Sequence, residues 1–335
     1  AIAYYASLPI SDEKSLQDID LPEPLAGPRD LLVEVKAISV NPVDTKVRQN
    51  VQPEGGAAKV LGWDVAGVVK AVGSDVTLFK AGDKVFYAGS IARAGGNSEL
   101  HVVVERIVGH MPKTLGFAEA AALPLTAITA WELLFERLQV REGKADEDQS
   151  LLIVGASGGV GSILTQLAKQ LTGLKVIGTA SRPETQAWAK DLGADLVIDH
   201  SKPLSEELKN AGHPQVNYVA SLTQTDQHLD QLVEALIPQG KLALIDDPKA
   251  LDVSKLKRKS LSLHWEFMYT RSMFETSDMI EQHNLLNRVA ELIDAGTLKT
   301  TVGEHFGVIN AANLRRAHEL LESGKAKGKI VLEGF

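Results

Sequence analysis

The first part of the chain alternates apolar and polar residues in short runs, and this alternation is typical of half-buried β-strands. Glycine and proline recur over residues 1–124, which indicates short strands folded into a partly open barrel. The predicted strands are residues 31–37 (LLVEVKA), 65–72 (VAGVVKAV) and 85–87 (VFY), with turn residues at 73–75 (GSD) and 82–84 (GDK).

From residue 125 onward the pattern changes to strands that alternate with helices. Residues 151–154 (LLIV) form a continuous apolar run, as expected of a strand buried on both faces. The apolar residues between Val160 and Leu171 fall on one face of a helix. This order predicts a doubly wound parallel sheet. The other predicted elements are a helix over 127–138, a charged loop over 141–149, strands at 175–179, 196–199, 217–220 and 241–245 and a last sheet strand that contains Phe267, Met268 and Tyr269, then a long amphipathic helix from Ser277, a helix over 311–323 and a strand over 329–332.

The composition excludes several classes of protein. The length of 335 residues fits about two domains, and the charged fraction of 23% is that of a soluble globular protein. No apolar run approaches the roughly 18 residues of a membrane span, and the first residues lack a signal-peptide pattern, so we expect no membrane partner and a cytoplasmic location. The formal charge of −8 offers no basic stripe to a nucleic acid. The absence of cysteine excludes disulfides and cysteine-ligated zinc.

A glycine-rich loop, GASGGVG at 155–161, separates the apolar strand from the apolar-faced helix. A strand before it, a helix after it and a second strand that ends about 20 residues on are the context of a dinucleotide-binding fingerprint. Its glycines permit a tight turn, a close approach to the pyrophosphate and close helix–strand packing, while the helix N-terminus offers N–H groups to the phosphates. We therefore expect cofactor contacts from Gly155, Ser157, Gly158, Gly159, Val160 and Gly161.

The end of the second strand indicates which dinucleotide is bound. An acidic residue there binds the ribose 2′-hydroxyl of NAD, whereas an arginine accommodates the 2′-phosphate of NADP. No acid precedes Arg182, and Ser181 with Arg182 supplies a hydroxyl and a planar guanidinium. The sequence therefore predicts NADPH. Two alternatives stay open, in which Arg182 is a solvated surface residue or Glu184 reaches the ribose.

Six stretches of the chain carry a resemblance to known proteins: 41–46 (NPVDTK), 61–67 (LGWDVAG), 120–127 (AAALPLTA), 155–161, 192–195 (LGAD) and 328–332 (GKIVL). With a fingerprint that begins this late, behind a β-rich domain, the chain resembles the medium-chain dehydrogenase/reductase superfamily, more closely its quinone oxidoreductase branch and the zinc-type alcohol dehydrogenase-like proteins there. The resemblance implies an α/β fold. A GroES-like β-rich catalytic domain, residues 1–124 and 272–335, would enclose a Rossmann domain with a doubly wound parallel sheet, residues 125–271.

The same resemblance implies that no metal is bound. Zinc alcohol dehydrogenases of the superfamily have a cysteine ligand in the stretch that matches 41–45 and a histidine ligand in a Gly-His-Glu motif. Here that motif is replaced by Gly62-Trp63-Asp64, cysteine is absent, and the nine histidines show no ligand spacing along the chain.

Individual residues also receive roles from the resemblance. Asn41 and Thr126 match positions that line the nicotinamide and substrate cleft. Lys46 stands where related enzymes often have tyrosine, so a catalytic lysine and a surface lysine both stay open. His200 matches a position near the adenosine 2′-phosphate. A further set of residues is expected near the ribose and nicotinamide. Both the resemblance and the rule that ligands lie outside the carboxyl ends of parallel strands imply this position. The residues are Ser221, Leu222, Thr223, Asp246, Phe267, Met268 and Tyr269.

These features predict an NADPH-dependent reductase that transfers hydride to a quinone or an α,β-unsaturated carbonyl, a small electrophilic partner. A conjugated acceptor needs less help than a simple ketone, because hydride addition leaves a delocalised oxyanion that a donor such as the Asn41 amide can stabilise. The alternatives are an NADPH-binding redox sensor with little turnover and an enoyl-thioester reductase. We also expect a homodimer, with a tetramer as the alternative, because the apolar edge strand with Phe267 must be paired or covered.

Overall fold

The computed structural model describes residues 1–144 and 147–335, and the chain divides into two compact units. Unit 1 consists of Ala1–Ile128 with Tyr269–Phe335, and unit 2 of Thr129–Met268. The boundaries drawn from the sequence, at 124 and 271, lie a few residues from these positions. Of the charged loop predicted at 141–149, the described part contains neither helix nor strand, and residues 145 and 146 lie outside the described residues.

The first part of unit 1 consists mainly of short strands, as its alternating pattern predicts. The predicted strand at 65–72 forms over those same residues, and the one at 31–37 lies inside a longer strand. The elements are β1 (Ile2–Tyr4), β2 (Gln17–Asp18), β3 (Asp30–Val40), α1 (Pro42–Asn50), β4 (Lys59–Val60), β5 (Val65–Val72), β6 (Lys84–Tyr87), β7 (Leu100–Val104), β8 (Val108–His110) and α2 (Phe117–Ala121), with 3-10 turns at Glu13–Ser15, Glu54–Gly56 and Glu105–Ile107.

Unit 2 holds the parallel sheet predicted from the βαβ pattern. Its six strands pair in the order β11-β10-β9-β12-β13-β14. β10 and β11 are added on one side of β9 and the later strands on the other, so the strand order reverses between β9 and β12. Ligands of such sheets bind outside the carboxyl ends of the strands at this reversal. The elements are α3 (Pro124–Trp131), which crosses the unit boundary, a π-helical segment (Glu132–Arg137), β9 (Ser150–Val154), α4 (Gly159–Leu171), β10 (Lys175–Thr179), α5 (Pro183–Asp191), β11 (Leu196–Ile198), α6 (Leu204–Asn210), β12 (Val216–Ser221), α7 (Thr225–Ala235), β13 (Leu236–Leu244), a 3-10 helix (Val253–Lys259) and β14 (Ser262–Trp265).

The last strand of this sheet is shorter than predicted. β14 ends at Trp265, where its partner β13 also ends at Leu244, so the prediction that Phe267, Met268 and Tyr269 belong to the strand is wrong. Phe267 is exposed, whereas Met268 and Tyr269 are buried in the turn that follows. The apolar run continues past the strand because buried turn residues are as apolar as strand residues, and the sequence contains no signal for the end.

The chain then returns to unit 1 and completes its seven-stranded sheet. The order is β15-β16-β3-β5-β6-β8, with β7 also paired to β3, and a separate small sheet has the order β2-β1-β4. β16 runs antiparallel to β3 with Ile330 opposite Val40, which brings the start of β16 to the end of β3. The elements are α8 (Thr270–Met273), α9 (Glu281–Asp294), β15 (Val302–His305), α10 (Ala311–Glu322) and β16 (Lys329–Glu333).

One helical stretch among the described residues, Phe117–Arg137, is long and apolar enough by composition to cross a membrane. Inside the fold, 78% of its apolar window is buried. Burial of this extent is that of a helix in the core of a folded domain.

Candidate active site

The glycine loop of unit 2 turns tightly between β9 and α4. Gly155 has a φ of +87°, in the left-handed region that favours glycine. A Cβ atom on Gly161 would lie 2.2 Å from the Gly155 carbonyl oxygen, so a larger residue would push the helix away from the strand. Gly158 is the N-cap of α4, and Gly159 and Val160 begin its first turn. The N–H groups of a first helical turn lack intrahelical acceptors and can bind phosphate oxygens.

The carboxyl end of β12 lies beside this loop, at the reversal of the sheet. A Cβ on Gly155 would lie 3.2 Å from the Thr223 methyl group, and the Leu222 N–H donates to the Val154 carbonyl.

The Asp246 carboxylate accepts from the Thr225 N–H at 2.8 Å and from its hydroxyl at 2.6 Å. Ser221 Oγ lies 2.7 Å from the same hydroxyl, and the Ser157 carbonyl accepts from Ser162 Oγ at 3.4 Å. Asp246 and Ser221 therefore hold the loops in place.

The end of β10 carries the residues that the sequence assigns to the cofactor phosphate. Ser181 is exposed, and Arg182, which follows it, is the N-cap of α5. The Arg182 Nε atom lies 2.9 Å from Glu184 Oε1, with side-chain exposures of 36% and 59%. An exposed ion pair of this kind contributes about 0–1 kcal/mol, so an incoming phosphate can compete with the Glu184 carboxylate for the guanidinium.

His200 is linked to the glycine loop through one hydroxyl. Its Nδ1 atom lies 3.0 Å from Thr179 Oγ1, which accepts from the Gly155 N–H at 3.0 Å. Partial burial lowers the pKa of His200, and the Arg182 guanidinium also lowers it, against the Asp199 carboxylate. His228, in the first turn of α7, lies close enough to His200 for the two imidazoles to repel each other when charged, and its pKa is lowered by burial and by His200.

Unit 1 holds a buried cluster of polar side chains around Asp64. The Asn41 side-chain amide donates to Asp64 Oδ2 at 2.8 Å, and the Leu125 N–H donates to Asp64 Oδ1 at 2.7 Å. The Lys329 ammonium lies 3.0 Å from Asp64 Oδ2 and also donates to the Asn41 Oδ1 and the Val40 carbonyl. We call Asn41, Asp64 and Lys329 the Asp64 cluster; each is at most 3% exposed.

Two further ionisable groups lie next to the Asp64 cluster. Asp44 Oδ2 accepts from the Asn41 N–H at 2.7 Å, which caps α1. Burial raises the pKa of Asp44 to about 7 and also raises that of Asp64, while the Lys329 ammonium lowers both. Burial and these two carboxylates raise the pKa of the Tyr269 phenol well above its usual value, so Tyr269 is neutral here. Its ring contacts Trp63 edge to face, with centroids 6.3 Å apart.

The structure brings together two of the three residues assigned to catalysis. Thr126 follows Leu125 at the start of α3, and its hydroxyl donates to the Leu123 carbonyl at 3.1 Å. Asp64 thus connects the Asn41 amide to the helical turn that carries Thr126. Lys46 lies at an exposed position of α1, which is the position expected of a surface lysine.

Zinc does not fit the Asp64 cluster. Both carboxylate oxygens of Asp64 accept from protein donors, and one of these donors is a positively charged ammonium. The Trp63 indole occupies the position before it and donates to the Ser90 carbonyl at 3.1 Å. Within residues 1–144 and 147–335, no three His, Cys, Asp or Glu side chains are grouped as metal ligands.

Sequence reasoning missed Asp64, Lys329 and His228 as members of these sites. Asp64 and Lys329 stand in stretches that carry the family resemblance, and Asp64 is a charge among apolar neighbours, which is a signal of a buried charge with a partner. Their pairing follows from two antiparallel registers, that of β16 with β3 and that of β3 with β5. His228 has no comparable signal, because it comes near His200 only through the fold of the sheet.

Several related proteins are similar to this chain over nearly its whole length. Residues 27–131 match the family of alcohol dehydrogenase GroES-like domains, and residues 192–332 match the zinc-binding dehydrogenases. A zinc-type alcohol dehydrogenase-like protein of Staphylococcus aureus is 42% identical over 305 residues, 90% of each chain. The crystal structure of a candidate zinc-dependent alcohol dehydrogenase from Rhizobium etli is 55% identical, with a TM-score of 0.95 over 100% of this chain and 98% of that one. Escherichia coli quinone oxidoreductase complexed with NADPH is 27% identical, with a TM-score of 0.84 over 99% of both chains.

Proposed function

This chain belongs to the medium-chain dehydrogenase/reductase superfamily and is an oxidoreductase, and on that premise we propose that it transfers hydride from NADPH to a quinone or an α,β-unsaturated carbonyl without zinc. The observation that carries the proposal is the Asp64 cluster. Both oxygens of the Asp64 carboxylate accept hydrogen bonds from an ammonium and two N–H groups, so neither is free to bind a metal. Hydride transfer to a simple ketone or from an alcohol needs a Lewis acid or a general acid–base group at the oxygen, whereas a conjugated acceptor needs less help because its negative charge is delocalised.

The cofactor half of the proposal rests on unit 2. The first turn of α4 and the glycine loop would hold the pyrophosphate, and Ser181, Arg182 and His200 would hold the 2′-phosphate. The bound nicotinamide supplies the hydride. The Escherichia coli quinone oxidoreductase, crystallised with NADPH, supports both the cofactor and the class of acceptor.

The acceptor half rests on the orientation of the Asn41 amide. Lys329 donates to its oxygen and Asp64 accepts from its nitrogen, so the amide cannot rotate by half a turn without losing both bonds. An amide nitrogen carries two N–H donors, and Asp64 takes one of them. We assign the second N–H to the oxygen of the acceptor, where negative charge develops as hydride arrives.

A panel of acceptors tests the proposal. NADPH-loaded protein is mixed in a stopped-flow instrument with ortho- and para-quinones, enones, enoyl thioesters and, in the reverse direction, NADP⁺ with saturated alcohols. We expect rapid NADPH oxidation by quinones or enones and little reaction with alcohols. Fast reaction only with enoyl thioesters would assign the thioester reductase, and NADPH binding without turnover of any acceptor would assign the redox sensor. Efficient alcohol oxidation by chelator-treated enzyme would contradict the proposal.

Asn41→Ala separates the reaction class from the role of the amide. We expect this substitution to lower kcat more than it raises KM, because the hydrogen bond strengthens in the transition state. Gln49→Ala, which changes an exposed residue of the same helix, is the matched control and should leave both constants unchanged. An unchanged kcat in Asn41→Ala would remove Asn41 from the reaction.

A further inference from the structure

Three basic side chains lie at the edge of unit 2 where the cofactor phosphate is assigned. Arg182 follows β10, His200 follows β11, and His228 lies in the first turn of α7. We infer that His200 and His228 take up protons when the 2′-phosphate binds, so that the preference for NADPH over NADH depends on pH. This inference rests on the proposed function, because it takes NADPH as the cofactor.

The hydrogen bonds of the two histidines leave room for a ligand. His200 is fixed at Nδ1 by the Thr179 hydroxyl, 3.0 Å away, and its Nε2 atom has no hydrogen-bond partner among the described residues. Neither ring nitrogen of His228 has a partner in the part of the chain that the structure describes. Both side chains are half-buried. Ring nitrogens in such positions can hydrogen-bond to a ligand without losing an existing protein partner.

The pKa values of both imidazoles lie below the usual histidine range in the free protein, chiefly because the rings are partly buried. Burial lowers the pKa of both histidines, Arg182 lowers that of His200 further, and His200 lowers that of His228. The carboxylates that oppose these effects are Asp199 beside His200 and Asp226 beside His228. Glu184 faces Arg182 and reduces its positive potential. The edge thus has one permanent cation and two groups that can become cations.

A phosphate dianion next to neutral imidazoles raises their pKa values, because it stabilises the protonated forms. Binding of the phosphorylated cofactor then takes up protons, and by linkage its affinity rises as pH falls. NADH carries a hydroxyl at the same position and adds no charge, so its affinity should not follow pH. Arg182 stays charged throughout, and some preference for NADPH therefore persists at alkaline pH.

Calorimetry of cofactor binding tests the inference without any turnover. The enthalpy of NADP⁺ binding is measured near neutral pH in buffers of different ionisation enthalpy, which gives the number of protons taken up, and the series is repeated with NAD⁺. We expect uptake of about one proton or more with NADP⁺ and none with NAD⁺. The NADP⁺ affinity should fall several-fold per pH unit above neutrality.

His200→Asn and His228→Asn should each reduce the proton uptake and flatten the pH profile of NADP⁺ affinity. The matched control is His213→Asn. His213 lies before β12, at the opposite, amino end of the sheet, and contacts Lys175. The NAD⁺ affinity of each variant shows whether the site is still folded. NADP⁺ binding without proton uptake, or uptake that survives both substitutions, would overturn this inference alone. Equal affinity for NADP⁺ and NAD⁺ at every pH would instead overturn the proposed cofactor.

Discussion

The Lys329 ammonium lies 3.0 Å from the Asp64 carboxylate, and both side chains are almost completely buried. Removing two charges from water is costly, and the cost is offset here because Asn41 and Leu125 supply the remaining hydrogen bonds of the carboxylate. The pair joins the start of β16 to the loop before β5. It therefore contributes to both the stability of unit 1 and the orientation of Asn41.

Breaking this pair from one side should be strongly destabilising. Lys329→Met leaves the Asp64 carboxylate buried without a counter-charge, which we expect to lower the free energy of unfolding by about 3–5 kcal/mol. The double variant with Asp64→Asn should recover part of that loss, since no charge is left buried. Urea unfolding of the wild type, both single variants and the double variant measures the coupling. Additive losses would show that the two groups do not interact.

Purified protein should contain no stoichiometric zinc. The Asp64 oxygens are taken by protein donors, and an ammonium beside them repels a cation. Elemental analysis after dialysis and an activity assay with and without chelator measure this directly. One tightly held zinc per chain, or loss of activity with chelator, would contradict the metal-free reading of the cluster.

Arg182→Ala should weaken NADPH and leave NADH nearly unchanged. A charge-assisted hydrogen bond contributes roughly 1.5–3 kcal/mol, so we expect a loss of about ten- to a hundredfold in NADPH affinity. Glu184→Gln is the matched variant, because it removes the carboxylate that lies 2.9 Å from the guanidinium. It should tighten NADPH a few-fold. Fluorescence titration with both cofactors gives the affinities, and equal losses for NADPH and NADH in Arg182→Ala would make Arg182 a structural residue.

Most of the secondary structure could be predicted from the sequence, but little of the Asp64 cluster could. Strand 65–72 could be predicted because it is rich in valine and is followed by the turn residues 73–75, and β9 because a strand buried on both faces is uniformly apolar. The end of β14 could not be predicted, since Phe267, Met268 and Tyr269 continue the apolar pattern into a turn.

Local patterns carry no information on pairs that the sheet register brings together. Asp64 and Lys329 are far apart in the chain, and they become neighbours because β3 pairs with both β16 and β5, whose first residue follows Asp64. His200 was placed by resemblance, whereas His228 needed the arrangement of α7 beside the sheet. The glycine loop is the opposite case, because its strand, turn and helix follow one another in the sequence.

The edge of the parallel sheet should form a homodimer. β14 is an outer strand, and Trp265 and Phe267 at its end are 53% and 48% exposed. An outer strand with large apolar side chains normally pairs with another chain or is covered. Analytical ultracentrifugation of the wild type should show a dimer, and Trp265→Glu should shift it towards monomer. Val253→Glu, which changes another exposed apolar residue of unit 2, is the control. A wild-type monomer at all concentrations would contradict the expectation.

A buried pair of carboxyl groups should make the stability of unit 2 fall at alkaline pH. Glu132, in the π-helical segment, lies next to Glu266 just beyond β14, and Arg137 Nε donates to Glu266 Oε2 at 2.8 Å. Burial and the Glu132 carboxylate raise the pKa of Glu266 well above its usual range. The pair therefore holds a proton at neutral pH, since two adjacent buried carboxylates cannot both ionise at low cost.

Because the folded state binds this proton more tightly than the unfolded state, its contribution to stability has a definite sign. It is complete below the ordinary glutamic acid pKa of about 4.3 and is lost as pH rises through the raised value. Glu266→Gln keeps an acceptor for Arg137 and a donor for Glu132 without titrating, so its melting temperature should fall less from neutral to alkaline pH. Glu136→Gln, next to Arg137 at 4.0 Å, is the control and should keep the wild-type slope. Thermal melts across this pH range measure the slopes, and parallel curves for wild type and Glu266→Gln would show that Glu266 is ionised in the folded protein.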